Sequence, residues 1–171
     1  MLRVDTLTPA AYEAALDRLA EILVDAVDGG ASVTFMPGLT SAEARAFFAG
    51  LVPAVRAGRA VVLGAFLDDV LVGTVQLHPA WQPNQPHRAD VAKLLVHRAA
   101  RRRGVGRALM ERLEGVARGL GRTLLTFDTV PGSDAERLYL RLGYVRAGVI
   151  PDYALLPSGA PGAAAFFYKA L

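Results

Sequence analysis

Residues 101–107 read Arg-Arg-Arg-Gly-Val-Gly-Arg, and an amphipathic helical pattern begins within this stretch, at residue 105. The glycines at 104 and 106 let the backbone come close to a bulky anion, and the arginines supply positive charge. The start of the helix adds unpaired N–H groups and the positive end of the helix dipole. The stretch therefore predicts a site for a phosphate or pyrophosphate group.

Composition limits the kind of protein that can carry such a site. The chain has 171 residues, 53% hydrophobic and 20% charged, which predicts one globular domain over residues 1–171. Five of the 19 basic residues fall between Arg98 and Arg107 although the net charge is only +3, which favours one anionic ligand over a polyanion surface. Because there is no cysteine, disulfides and cysteine nucleophiles are excluded. No leader or membrane-spanning pattern is recognisable, so we predict a cytoplasmic protein.

Hydrophobic periodicity and turn residues predict the element order β-α-α-β-β-β-α-β-α-β-β. Strands are expected at residues 2–7, 60–67, 70–77, 90–96, 123–129, 144–150 and 163–168. Helices are expected at residues 8–29, 40–58, 105–119 and 133–142. The Pro- and Gly-rich segments 78–88 and 151–162 are predicted loops, and Asp68-Asp69 predicts a tight hairpin turn. This order indicates a mixed α/β sheet and not a doubly wound dinucleotide fold.

Three interpretations of the Arg/Gly stretch compete. A dinucleotide fingerprint needs a third glycine and a place at the first strand-to-helix turn, and both are missing. A P-loop needs the pattern G-x-x-x-x-G-K-[ST], which does not occur. The third interpretation is a solvated basic turn without a ligand, and a lone G-x-G pattern does not exclude it.

A second motif favours a ligand site over a solvated turn. Leu94-Leu95-Val96 followed by Arg101-x-x-Gly104-x-Gly106 resembles motif A of the GNAT N-acetyltransferases, and Ala135-x-x-Leu138-Tyr139-x-x-x-Gly143-Tyr144 resembles a later segment of that family. The resemblance implies a mixed, mostly antiparallel α/β sheet of about six to seven strands, splayed at the middle and flanked by about four helices. Residues 83–90 and 150–155 are similar to the branch that includes tabtoxin-resistance-type acetyltransferases.

The resemblance implies acetyl-CoA as co-substrate. The N–H groups of residues 102–108 are expected to bind its pyrophosphate, and the strand before them to pair with its pantetheine arm. An N–H near Leu95 or Val96 could also stabilise an oxyanion. Many members carry Asn where Gly132 stands here, so that contact is lost or is made by Ser133 or Thr129. The predicted co-substrate site comprises Leu94, Leu95, Val96, Arg101, Arg102, Arg103, Gly104, Val105, Gly106, Arg107, Ala108, Thr129 and Ser133.

Acetyl transfer to an amine needs a neutral amine, an oxyanion donor and a proton for the departing thiolate. Tyr139, at the tyrosine position of the family, is the predicted acid, although it could also be an ordinary core aromatic. Asp128 lies in an otherwise apolar strand and Asp90 begins the strand before the Arg/Gly stretch, so these two are the candidate bases. The alternatives are turn capping near Gly132 or Ser133 for Asp128, a salt bridge with Arg88 or Lys93 for Asp90, and a base that acts through water.

His78 or His87 could also act as base, but three scattered histidines lack the spacing of a metal site, so no metal is predicted. The acceptor is expected near Phe35, Trp81, Asp152 and Tyr153, which could equally be residues packed under loops. We predict an N-acetyltransferase for a primary amine of a small molecule such as an antibiotic, toxin or amino-acid-like metabolite. A protein or peptide acetyltransferase, an acyl-CoA sensor and a nucleic-acid-binding module are the alternatives. Many members of the family dimerise, so the resemblance also implies a homodimer, and neither a membrane nor a nucleic-acid partner is expected.

Overall fold

A computed structural model describes residues 1–171 and contains one seven-stranded sheet in the order β1-β2-β3-β4-β5-β7-β6. The strands are β1 Leu2–Thr6, β2 Val61–Leu67, β3 Val70–Pro79, β4 Arg88–Val96, β5 Leu124–Thr129, β6 Val145–Leu155 and β7 Pro161–Ala170. The helices are α1 Pro9–Ala14, α2 Leu16–Asp28, α3 Ser41–Arg56, α4 Val105–Gly119 and α5 Asp134–Arg141. Every neighbouring pair is antiparallel except β4 and β5, so the predicted mixed, mostly antiparallel α/β fold is confirmed.

The parallel pair in the middle of the sheet separates soon after it forms. Arg88–Asp90 of β4 pair with Leu124–Thr126 of β5, and the rest of β4 has no partner on that side. The far ends of both strands therefore border an opening in the sheet, which is the predicted splay.

The two faces of the sheet are covered unequally. One buried cluster joins α4 and α5 to the sheet and includes Leu109, Leu113, Phe127, Tyr139 and Phe167. A second cluster packs α1, α2 and α3 against β2, β3 and β4, with Tyr12 and Phe48 fully buried. No helix covers the second face of β5 and β7, where Phe166 and Tyr168 are partly or largely exposed, so a cleft is left there.

The first helix differs from the prediction, because residues 8–29 form two helices and not one. Thr8 caps α1 by accepting from the Ala11 N–H, with Pro9 in the first helical position. At Ala15 (φ −91°, ψ 0°) the N–H is shared between the carbonyls of Ala11 and Tyr12, which ends the first helix. The Tyr12 side chain is fully buried, and its hydroxyl donates to the Phe48 carbonyl of α3 at 2.8 Å.

The segment 151–162 was predicted to be a loop, and that prediction is wrong for most of it. Strand β6 continues to Leu155 and β7 begins at Pro161. β6 is an edge strand, where a proline such as Pro151 interrupts no ladder on the open side. A register shift between Ile150 and Ala154, with Asp152 at φ +50°, absorbs the irregular residues.

The predicted turn at Asp68-Asp69 is confirmed. Both residues are left-handed, with φ +48° and +64°, as a two-residue hairpin turn between right-twisted strands requires, and Asp tolerates this conformation better than most residues. None of the five helices is both long enough and apolar enough to cross a lipid bilayer.

Candidate functional site

Residues 101–107, which we call the anion loop, present a row of free backbone donors. The N–H groups of residues 102–107 donate to no acceptor in the chain. The Ala108 N–H, in contrast, donates to the Gly104 carbonyl at 3.0 Å, so it is not available to a ligand as the sequence had suggested. No acidic residue occupies the first turn of α4 and no side chain caps it, so its positive end is free for an anion.

Two left-handed residues shape this row. Arg102 has φ +63° and Gly104 has φ +79°, and alternation of left- and right-handed residues turns successive N–H groups toward one concavity. Gly106 has a different role, because a Cβ on it would lie 3.2 Å from Leu138 Cδ2. Gly104 therefore sets the shape of the loop, and Gly106 allows the start of α4 to pack closely on α5.

The clustered arginines divide into structural and free side chains. Arg98 Nε donates to Asp25 Oδ1 at 2.5 Å, and the Arg98 N–H donates to Asp25 Oδ2 at 2.8 Å. Arg107 pairs with Glu111 at 2.7 Å. Arg102 and Arg103 are exposed and form no ion pair, so their guanidinium groups are free to meet an anion.

The Asp25 contact fixes the approach to the anion loop, and sequence reasoning missed it. Asp25 is 8% exposed in α2, and it holds the short 3₁₀ turn Arg98–Ala100 that leads into the loop. Burial acts to raise the pKa of Asp25, but the hydrogen bonds from Arg98 outweigh it and hold the pKa below its usual range. The only sequence signal is an acid on a helix that is otherwise apolar on its inner face.

The open edge of β4 supplies further backbone groups. The His97 N–H donates to the Val72 carbonyl, and Leu95 lies opposite Thr74 in the register. Because backbone groups of an antiparallel strand alternate between its two edges, the N–H of Val96 faces the opening. Of the predicted strand residues, Leu94 and Val96 thus turn their backbone groups toward the opening, while Leu95 is buried and paired with β3. The Val96 carbonyl accepts from Arg101 Nε at 3.2 Å, so Val96 has only its N–H free.

The two candidate bases share one cleft of about 470 Å³ on the open face of β5 and β7. Asp90 accepts hydrogen bonds from Arg88 Nη1 and Thr126 Oγ1, both at 2.5 Å, so the predicted Arg88 salt bridge is present. The cleft is lined by Asp90, Thr126, Phe127, Asp128, Ala147, Phe166, Phe167 and Tyr168.

Asp128 differs from Asp90 because no cation pairs with it. Its side chain is accessible to solvent and receives no side-chain hydrogen bond, yet the partial burial of its carboxyl raises its pKa, an effect that Lys93 counteracts in part. Asp128 does not cap the following turn, since the Gly132 N–H donates to Glu136 and the Ser133 N–H donates to the Val130 carbonyl. An unpaired carboxylate with a raised pKa suits proton transfer near neutral pH.

Tyr139 lies on α5, on the other side of Phe127. Its ring centroid is 4.4 Å from that of Phe127, and the residue is 6% exposed, so it belongs to the core. Its hydroxyl forms no hydrogen bond within the chain and is not fully enclosed. Burial, with a contribution from the charge of Asp128, raises the pKa of Tyr139, which keeps the hydroxyl protonated and able to donate.

The side-chain hydroxyl groups of Ser133 and Thr129 differ in whether they already form hydrogen bonds within the chain. Ser133 Oγ accepts from the Glu136 N–H at 3.1 Å and caps α5, while the Glu136 carboxylate accepts from the Gly132 N–H and not from the Ser133 N–H. Thr129 ends β5 opposite Ala165, and its hydroxyl has no partner in the chain. Of the two hydroxyl groups, that of Thr129 is therefore the one that remains available to a ligand.

The predicted acceptor residues are only partly brought together. Tyr153 packs edge-on against Phe166 of the cleft at 5.2 Å, whereas Trp81 is 83% exposed and does not line the cleft. Asp152 is exposed on β6. Phe35 packs on Phe47 at a ring distance of 5.1 Å, and Lys93 Nζ lies over both rings.

The histidines occupy separate places. His78 Nε2 is 3.0 Å from Gln76 Oε1, and burial lowers the pKa of His78. His97 is 3.6 Å from Asp25, and His87 is exposed. No group of three or more His, Cys, Asp or Glu side chains is arranged to hold a metal ion.

Comparison with known proteins agrees with this geometry. The model of the acetyltransferase (GNAT) family matches residues 32–144. A GCN5-related N-acetyltransferase from Kribbella flavida is similar in structure with a TM-score of 0.81 and 23% identity, covering 99% of this chain and 98% of that one. The yncA protein of Salmonella typhimurium, solved with its cofactor acetyl-CoA, has a TM-score of 0.81 and 18% identity over 100% and 94% of the two chains. A ribosomal-protein-alanine N-acetyltransferase from Brucella melitensis has a TM-score of 0.79 and 24% identity, covering 100% of this chain and 99% of that one. With its splayed sheet, its anion loop and a family match over most of its length, the chain belongs to the GNAT acetyltransferase family, whose members use acetyl-CoA as acetyl donor.

Proposed function

We propose that residues 1–171 form a single catalytic domain that transfers the acetyl group of acetyl-CoA to a primary amine of a small molecule. The amine attacks directly, with no covalent enzyme intermediate. One observation carries the proposal: the anion loop follows the free end of β4, and the unpaired Asp128 lies near the free end of β5, so they border the same opening in the sheet.

The residues present fit acetyl-CoA. The free N–H groups of residues 102–107 match the acceptor oxygens of a pyrophosphate, and Arg102 and Arg103 supply unpaired positive charge beside them. The open edge of β4 offers the Leu94 backbone groups and the Val96 N–H to the amide groups of a pantetheine arm, and Thr129 offers a free hydroxyl across the opening. When bound, acetyl-CoA supplies the activated acetyl group.

Three residues of the chain have roles in the reaction. Asp128 accepts the proton that the amine must lose, and its raised pKa brings its basicity closer to neutral pH. The Val96 N–H stabilises negative charge on the acetyl oxygen. Tyr139 donates a proton to the departing sulfur, for which its protonated hydroxyl is suited. Asp90, already bound by Arg88 and Thr126, is a positioning residue that orders the cleft beside Asp128.

The cleft favours a small acceptor. Its volume of about 470 Å³ lies in the range that small ligands occupy, and most of its wall is apolar. Tyr153, which packs on Phe166, is the predicted acceptor residue in contact with the cleft wall, and Phe35, Trp81 and Asp152 are not among the lining residues. A nucleic-acid role has less support, because two of the five clustered arginines, Arg98 and Arg107, are neutralised by Asp25 and Glu111.

Acetyl-CoA binding and thiol release with a panel of amines test this proposal. We expect acetyl-CoA to bind, and Asp128→Asn to lower kcat by about 10²- to 10⁴-fold, the range of general acid–base catalysis, with little change in acetyl-CoA affinity. As the pH is lowered, the wild-type kcat/KM should begin to fall at a higher pH than it would with a base of ordinary Asp pKa. The reason is that the base works only when it is deprotonated and that its pKa is raised. Asp90→Asn should have the smaller effect. No binding of acetyl-CoA, or a larger loss in Asp90→Asn than in Asp128→Asn, would contradict the assignment.

We also propose that the protein forms a homodimer through β6. This strand is an edge strand of eleven residues, exposed along its whole length, and it carries the apolar residues Val145, Val149, Ile150, Tyr153 and Leu155. An exposed apolar edge is a ready template for pairing with another chain. A second copy can meet it by two-fold symmetry with the same strand.

A further inference from the structure

The sequence contains only two lysines among its 19 basic residues, and their surroundings differ. Lys169 Nζ lies 2.7 Å from Glu114 Oε1 and 2.7 Å from the Leu142 carbonyl, as expected of a structural lysine. Lys93 Nζ has no carboxylate within 4.0 Å; its one hydrogen bond is to Thr34 Oγ1 at 2.9 Å. The half-buried ammonium group of Lys93 therefore has no counter-ion.

The backbone at Lys93 is held in an unusual conformation. Lys93 has φ +51° and lies where the register of β3 and β4 shifts by one residue, between Gln76–Ala92 and Thr74–Leu95. Such a bulge re-aims a side chain, and the left-handed conformation is unfavourable for a residue with a Cβ. Backbone strain of this kind is concentrated at functional sites. Here it directs the lysine toward Thr34, Phe35 and Phe47, beside the open face of the sheet.

Asp128 carries the negative charge that acts on the Lys93 ammonium group. Burial lowers the pKa of Lys93 and the charge of Asp128 partly opposes this effect, yet the two side chains form no ion pair. The pairing of β4 with β5 ends at Asp90 and Thr126, so Lys93 and Asp128 lie just past the last paired residues on the two strands that border the opening. A molecule that carries an amine and a carboxylate on one carbon complements this pair, with its amine at Asp128 and its carboxylate at Lys93.

A second buried donor lies next to the bulge. Gln76 is 2% exposed, and its Nε2 has no hydrogen-bond partner, while its Oε1 is engaged by His78. In the register Gln76 lies opposite Ala92, the residue before Lys93. Buried donors without partners are rare in proteins, and a ligand carboxylate has lone pairs enough for both Lys93 and such an amide.

We infer that Lys93 is a specificity-determining residue that binds the carboxylate of the acceptor, so that the preferred acceptor is an α-amino acid or a close analogue. The inference rests on the proposed acetyl transfer and adds the substrate class to it. The Lys93 ammonium group lies 5.9 Å and 5.5 Å from the ring centroids of Phe35 and Phe47, so cation–π attraction helps to hold it in place.

The test compares matched acceptors in a thiol-release assay. The proteinogenic amino acids are screened first, and the best one is then compared with its α-amide and with the amine that lacks the carboxylate. The amide has a less basic amine and the decarboxylated compound a more basic one, so a preference for the amino acid over both cannot come from amine basicity. We expect wild-type kcat/KM to favour the amino acid by about ten- to a hundred-fold, as for a hydrogen bond to a charged group.

Variants at Lys93 then separate charge from structure. Lys93→Met should reduce the preference to about one, mainly through the acceptor KM, with the acetyl-CoA KM and Tm unchanged, whereas Lys93→Arg should keep most of it. Lys93→Glu should shift the preference toward a diamine of similar size. If Lys93→Met keeps the wild-type preference, or if the wild-type enzyme favours the decarboxylated amine, the inference is wrong while the proposed function stands. If no amine supports thiol release and acetyl-CoA does not bind, the proposed function itself fails.

Discussion

Replacing Gly104 by alanine tests the anion loop most directly. Gly104 has φ +79°, and a Cβ built on it meets no atom within 4 Å, so only the backbone conformation opposes the substitution. Keeping an alanine in the left-handed conformation costs about 1–2 kcal/mol. For a chain of this length that corresponds to a fall in Tm of roughly 2–8 °C.

The alternative is that the loop relaxes and turns its N–H groups away from the concavity. Each lost hydrogen bond to a phosphate oxygen weakens binding by about 1.5–3 kcal/mol, or about ten- to a hundred-fold in Kd. Gly104→Ala therefore loses stability, acetyl-CoA affinity or both. Calorimetric titration with acetyl-CoA and thermal unfolding measure the two losses separately.

The same helix provides a matched control. Gly115 is an exposed residue of α4 with helical backbone, and a Cβ on it also meets nothing within 4 Å. Gly115→Ala should stabilise the protein by about 0.5–1 kcal/mol and leave acetyl-CoA affinity unchanged. The reasoning is refuted if Gly104→Ala keeps both the wild-type Tm and the wild-type Kd, or if Gly115→Ala weakens acetyl-CoA binding equally.

Three further substitutions test other parts of the structure. Tyr139→Phe should lower kcat by about 10²-fold, as removal of a general acid does. The control Tyr144→Phe removes a buried hydroxyl without a hydrogen-bond partner and should keep full activity. Equal losses of activity in both variants would assign Tyr139 to the core alone. Asp25→Asn should destabilise the protein by about 1.5–3 kcal/mol and raise the acetyl-CoA KM, because the Arg98 contacts are charge-assisted. Since the folded-state pKa of Asp25 is below its usual value of 3.8, this stabilisation is present above that pH and is lost as the pH falls through the folded pKa, so the two unfolding curves should converge in acid; a constant difference would contradict the ion pair. Val149→Lys on β6 should convert a dimer to a monomer in light scattering after gel filtration, and a wild-type protein that is already monomeric at about 100 μM, far above the Kd of a stable dimer, would exclude the proposed interface.

Much of the fold was predictable because it depends on short-range patterns. Helix α3 illustrates this, since Thr40 and Glu43, only three residues apart, form a capping box with both of its hydrogen bonds at the start of the helix predicted for residues 40–58. The predictions failed where tertiary context competes with local preference. Pro151 and Asp152 are typical of a loop, but the pairing of Ile150 and Ala154 with β7 on either side of them keeps them in strand β6, where an open edge tolerates proline.

The sequence by itself determined the anion loop, because its shape depends on Gly104 and on the helix that starts beside it, which are neighbours in the chain. Only the tertiary structure decided how the charges around the opening are used. Asp25 and Arg98 are 73 residues apart, and their contact removes one arginine from the basic cluster. The sequence left open whether Asp90 pairs with Arg88 or with Lys93; in the structure it pairs with Arg88, Asp128 stays unpaired, and a bulge aims Lys93 toward the opening. Charge pairing depends on which strands become neighbours and on where a strand bulges, and one-dimensional spacing does not encode either distance.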